Sequence, residues 1–122
     1  MKKLENVEFL SMSGALVSLL EKVGKGEEFS VGAYGFSTVE GKKQEHIPTL
    51  ILGISTGKEK VLAITRSAGL LEQFGRLERS GELEKVDIIV GHLQQQKFEK
   101  DGDLRTTWKF VANLNFNPDD LF

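Results

Sequence analysis

The sequence predicts an all-β domain with helices: a five-stranded Greek-key β-barrel with a helix between strands 3 and 4 and an extra N-terminal helical segment. Three observations predict it. Apolar residues alternate at period two from Phe29 to Thr65 and again from Val86 to Phe116, the pattern of half-buried strands. Between these blocks Leu70, Leu71, Phe74 and Leu77 fall on one helical face. Thirteen glycines against two prolines, in a chain that is 39% apolar, fit a globular fold rich in tight turns rather than disorder. At 122 residues the chain holds one domain, able to bury about 65% of its unfolded surface. We expect that domain over residues 1–116, with a helical extension over 1–28 and an acidic tail over 117–122.

The elements follow in order. Ala15, Leu16, Leu19, Leu20 and Val23 share one helical face, with Ser11 or Ser13 as the cap and Gly24 as the stop. Phe29, Val31 and Ala33 form one face of a first strand, after which the large residues switch parity to Tyr34 and Phe36. With Gly32 and Gly35 nearby, the switch predicts a bulged, bent strand, and it is expected to aim Tyr34 and Phe36 away from the core. A second strand covers Thr49 to Ser55, opened by Pro48. Thr56-Gly57 turns into a third, Lys60 to Thr65. The helix of Leu70, Leu71, Phe74 and Leu77 ends before Gly81. A fourth strand spans about Val86 to Phe98, Lys100-Asp101-Gly102-Asp103 is a hairpin turn, and a fifth strand runs from Leu104 to Phe116. Three strands, a helix and two strands make the order of the OB-fold, a barrel that binds oligonucleotides and oligosaccharides.

Composition excludes several classes. Without cysteine there are no disulfides or thiolate metal sites. No apolar run approaches the ~18 residues of a membrane span. The start from Met1 to Leu20 is a poor signal peptide, since Glu5 and Glu8 sit in its flank and serines interrupt its apolar run, so a cytoplasmic protein is expected. Gly53 to Lys58 is a phosphate loop one residue short and lacks the Ser or Thr after its lysine; it reads as a turn. Asp101 and Asp103 lack the further ligands of a calcium loop. His46 and His92 lie far apart, with no ligand or nucleophile pattern. No catalytic residue, metal or cofactor is expected, and the two histidines alone support a small-molecule enzyme.

What remains is a combination of aromatic and cationic residues. Binding a single strand needs π-faces for bases and cations along the phosphates. Tyr34, Phe36, Phe98 and Trp108 are the stacking candidates, although the parity of Trp108 groups it with Phe110 and Leu114, a core assignment. Lys42, Lys43, Lys58, Lys60, Arg66, Lys97, Lys100, Arg105 and Lys109 lie on strands and loops that would rim a groove. The net charge of −2 does not exclude this, because Asp119 and Asp120 stand in the tail and leave 16 acids against 16 bases, but it predicts a binder of modest electrostatic strength. The ending Asp119-Asp120-Leu121-Phe122 has the make-up of a peptide ligand, an apolar anchor beside carboxylates.

Val90-Gly91-His92-Leu93-Gln94-Gln95-Gln96-Lys97-Phe98, then Asp101-Gly102, then Arg105-Thr106-Thr107, resembles the closing hairpin of bacterial single-stranded DNA-binding proteins. The helix with Leu71, Phe74 and Leu77 before Gly81, and the acidic ending at Phe122, are similar to that family's as well. The resemblance covers roughly residues 66–116 and the last four. The family's opening strand motif, its other stacking tryptophans and its long linker are absent, which points to a divergent bacteriophage or mobile-element form. It implies an OB-fold without catalysis that binds single-stranded DNA regardless of sequence, with Phe98 stacking and Lys97 and Arg105 on phosphates. It further implies protection of the strand in replication or recombination, partner recruitment through the tail, and homo-oligomers. The rival expectation is a protein-interaction module that docks on a replication or conjugation enzyme with weak or no DNA binding.

Overall fold

The structure is a computed structural model, and it describes residues 1–4, 16–40, 43, 46–57 and 59–113. Among these residues it is mostly β: one curled, open, barrel-like sheet with two helices. The strands are β1 (Lys2–Lys3), β2 (Leu16–Ser18), β3 (Phe29–Glu40), β4 (His46–Ser55), β5 (Lys60–Thr65), β6 (Ile89–Lys100) and β7 (Asp103–Ala112). The helices are α1 (Leu19–Lys22) and α2 (Ala68–Arg79), with a 3-10 turn at Glu82–Lys85. The sheet order is β2-β5-β4-β3-β6-β7. One edge of β3 lies along β4; the other is shared, Phe29–Val31 pairing with β6 and Ala33–Tyr34 with β1. No helix among the described residues is long and apolar enough to cross a membrane.

The bulge read from the glycines is present, and it decides where the aromatic residues go. Val31 stands opposite Ile54 and Ala33 opposite Gly53, so Gly32 is the extra residue on β3. Past it, Tyr34 faces Leu52 and Phe36 faces Leu50. Because Ile54, Leu52 and Leu50 alternate on one face of β4, Val31, Tyr34 and Phe36 also share a face. The parity switch in the sequence is therefore the bulge itself, and it returns the large residues to the core. This corrects the expected outward placement. Tyr34 is 4% exposed within the core cluster, and Phe36 packs half-buried against that cluster.

The core lies between this face and α2. Leu70 and Phe74 of the helix are fully covered, as their spacing requires, and Gly81 follows the helix in the left-handed conformation. Phe110 of β7 has its ring centroid 5.4 Å from that of Phe29 and 6.3 Å from that of Phe74, so one residue ties β3, β7 and α2 together. Leu4, Ile51 and Leu62 form a second apolar cluster on the other face of the sheet.

Three further expectations are corrected. Among the described residues of the N-terminal segment, the helix covers Leu19–Lys22 alone. Leu16–Ser18 instead pairs in parallel with Leu62–Ile64, satisfying the outer edge of β5, while Leu19 and Val23 keep the four-residue spacing that buries both. The fourth long strand starts at Ile89, after the 3-10 turn, which leaves Ile88 exposed. The barrel is not closed by pairing of β5 with β7: β2 takes the edge of β5, and α2 lies along β7. Ala15, Leu114 and Phe116 lie outside the described residues.

The buried Tyr34 hydroxyl meets the Glu78 carboxylate of α2, which Lys3 of β1 approaches at 2.9 Å. Burial, and then the neighbouring Glu78, push the Tyr34 pKa up to about 12. The hydrogen bond from Lys3 leads in holding Glu78 below its ordinary value, against the opposing effect of burial. The signs follow. Tyr34 stabilises the fold fully below its unfolded pKa of about 10, and that contribution is lost as pH rises toward 12. Glu78 stabilises it above an unfolded pKa of about 4.3, and that contribution is lost as pH falls. Tyr34 is the single tyrosine, so tyrosinate absorbance reports it alone. Its midpoint should lie near 12 in the folded protein and near 10 in denaturant; a folded midpoint near 10 would contradict the burial.

Candidate nucleic-acid interface

β6 leaves the sheet soon after it begins. It pairs with β3 only over Ile89–Gly91, and from Gln94 onward its strand neighbour is β7. Residues 94–106 are exposed, so the end of the hairpin stands clear of the core. Asp101 and Gly102 have φ of 54° and 81°, the pair of left-handed residues that makes a type I′ turn, as Lys100 to Asp103 predicts.

The register sorts the hairpin into two faces. Leu93 with Phe110 and Gln95 with Trp108 belong to the core side, which continues outward as Lys97 with Thr106 and Glu99 with Leu104. Gln94 with Lys109, Gln96 with Thr107, Phe98 with Arg105 and Lys100 with Asp103 belong to the other side. This outer face carries three cations, Lys100, Arg105 and Lys109, against one acid, Asp103. Phe98 sits among them 39% exposed. Arg105, Thr107 and Lys109 repeat every second residue, so the outer two are about 13 Å apart. The arrangement supplies a π-face and a line of positive charge at the spacing an extended anionic polymer can follow.

The residues proposed from sequence are thus only partly gathered. Phe98, Arg105, Lys109 and Lys100 meet on one face, whereas Lys97 projects from the other. Trp108 packs half-buried against the core, as its parity indicates. Tyr34, buried, presents no ring face to a base, and Phe36 lies against it at 6.0 Å between ring centroids. Lys60 opens β5 opposite Ser55, and the exposed Lys43 lies beyond the other end of β4, about 30 Å away along the strand. Arg66 is exposed just past β5. Lys42, Lys58, Asp119, Asp120, Leu121 and Phe122 lie outside the described residues.

The hairpin is held to α2 by contacts that no local pattern announces. Ser67, the residue before the helix, makes no side-chain cap. The cap comes instead from Thr107 of β7, whose Oγ1 accepts the Gly69 N–H at 3.0 Å and lies 3.4 Å from Ser67 Oγ. One turn on, the Gln73 amide donates to the Phe110 carbonyl at 2.7 Å and accepts the Phe110 N–H at 2.8 Å, acting as a short piece of strand on the edge of β7. Gly69 permits this approach, because a Cβ there would collide with the Trp108 carbonyl and Thr107 Oγ1. The signal available in the sequence was Gly69 and Gln73 at a four-residue spacing, but their partners lie 38 and 37 residues away.

Beside these contacts a polar cleft of 380 Å³ opens between α2 and β7, lined by Glu72, Arg76, Gln96, Thr107 and Lys109 among others. Among the described residues there is no group of three or more His, Asp or Glu able to hold a metal ion. His92 Nδ1 lies 3.4 Å from Asn113 Oδ1.

Protein-family models, curated proteins and solved structures give no match to this chain.

Gly69→Ala should destabilise the protein by about 1–3 kcal/mol, the range for forcing a side chain into a packed contact. Thr107→Val, which keeps the shape and removes the capping oxygen, should cost about 0.5–2 kcal/mol. Denaturant melts of the two variants measure both; an unchanged midpoint for Gly69→Ala would show that the helix does not approach β7 this closely.

Proposed function

We propose that the chain binds single-stranded DNA without sequence preference along the outer face of the β6–β7 hairpin, with Phe98 stacking on a base and Arg105, Lys109 and Lys100 facing phosphates. The observation that carries this reading is the half-exposed Phe98 opposite Arg105, on a face where cations outnumber acids three to one. Lys97, expected from sequence to contact phosphate, lies on the opposite face of the hairpin. The order of the long strands, β5-β4-β3-β6-β7, supports an OB-type barrel opened between its third and fifth strands. The resemblance of residues 90–107 to the closing hairpin of single-stranded DNA-binding proteins points the same way. In this reading the protein coats strands exposed in replication or recombination in the cytoplasm. It assembles as a homo-oligomer and recruits partner proteins through Asp119, Asp120, Leu121 and Phe122, with no cofactor and no catalytic step.

One feature favours a second reading, a protein-interaction module. The core-side face of the hairpin ends in Leu104, which is 71% exposed beside Lys97 and Glu99. A side chain of this kind suits a protein partner better than a phosphate backbone.

Titration of labelled oligo-dT over a salt series separates the two. Affinity should fall with salt, with a slope of about −0.7 per phosphate contact. Phe98→Ala should weaken binding by about 1–3 kcal/mol, the value of one stacked base, and Leu104→Ser should leave it unchanged. Affinity that is flat in salt and indifferent to Phe98→Ala would favour the protein-interaction module and overturn the first reading.

A further inference from the structure

The cleft between α2 and β7 shares only Lys109 with the hairpin binding proposed above, and it is built from the same surface. Gln96, Thr107 and Lys109 are the outer-face residues that follow Phe98 and Arg105 toward the core in steps of two. They form one wall; Glu72 and Arg76, four residues apart on α2, belong to the other. The walls are fixed relative to each other, since Thr107 caps the helix and Gln73 is bonded at both ends of its amide to Phe110. Among the described residues neither Arg76 nor Lys109 has an ion-pair partner. Two cations from two elements thus line one polar cavity that adjoins the aromatic end of the hairpin.

We infer that this cleft seats one backbone phosphate of the bound strand between Arg76 and Lys109, so that the strand runs from Phe98 down the outer face of the hairpin and onto α2. Arg76 is thereby a binding residue on the helix. Its guanidinium offers a fork of N–H donors that suits phosphate oxygens, and Lys109 adds a point charge. Glu72 confines the seat to a single phosphate, because two cations against one carboxylate leave one positive charge. The inference rests on the single-strand reading, and its test separates the two.

Oligo-dT is titrated over a salt series with the native chain and with Arg76→Gln, Glu72→Gln and Phe98→Ala; Arg76 and Glu72 are exposed, so these changes leave the core intact. Arg76→Gln should weaken binding and reduce the steepness of log K against log salt by about 0.7. Glu72→Gln should tighten binding, whereas Phe98→Ala should weaken it with the slope unchanged. A native slope retained by Arg76→Gln, while Phe98→Ala still weakens binding, would overturn the phosphate seat and leave the hairpin reading standing. A native chain that does not bind oligo-dT removes both. Inorganic phosphate, added at constant ionic strength, is the remaining arm. Phosphate binding that depends on Arg76, together with an oligo-dT slope that does not, would mark a site for a free anion and overturn the inference.

Discussion

The two halves of the sheet are joined by three residue pairs. Phe29, Val31 and Ser30 between them face Gly91, Ile89 and Val90, and no other pairing connects β3 to β6. The contact is dense where it is short: Phe29 lies edge-on to Phe110, and Gly91 is enclosed so tightly that a Cβ would strike the Val111 carbonyl and the Phe110 ring. Gly32 follows at once and turns β3 away. The direction in which the hairpin leaves the body, and hence where Phe98 and Arg105 stand, is set by this junction.

A second constraint is the way the sheet ends. An uncovered edge carries unpaired N–H and C=O groups, and a barrel disposes of them by closing. Here the outer edge of β5 is given to the three residues of β2, and the edge of β7 to the amide of Gln73 and the first turn of α2. Because the helix stands where a strand could have paired, its charged side chains border the hairpin and make the polar cleft. Closure of the sheet and the shape of the candidate interface are therefore one structural choice.

Much of this was legible in the chain. Period two gave the long strands, the spacing of Leu70 and Phe74 gave the buried face of α2, and Asp101-Gly102 gave the turn, because each is written in neighbouring residues. Tyr34 and Phe36 were misplaced for a definable reason. A change of parity is the same in sequence whether the chain swaps faces or inserts a bulge, and only the partner strand, through Leu50, Leu52 and Ile54, decides between them. Leu16 to Ser18 read as helix because their alternative, an open edge on β5, lies more than 40 residues downstream. Of the candidate site, Phe98 and Arg105 were legible from the hairpin. Arg76 and the capping of Gly69 by Thr107 were not, since nothing within a turn of either residue marks its neighbours in space.

The borrowed cap also orders events in time. A twelve-residue helix that contains Gly69 and Gly75 and has no cap of its own is marginal in isolation. Its missing acceptor is on Thr107, which leaves the ribosome 38 residues after Gly69. Until then Leu70 and Phe74 have neither a stable helix to sit on nor Phe110 to pack against. Docking of α2 thus waits for the last long strand, and the nascent chain exposes the apolar face of α2 throughout that interval, a window in which chaperones or proteases can act.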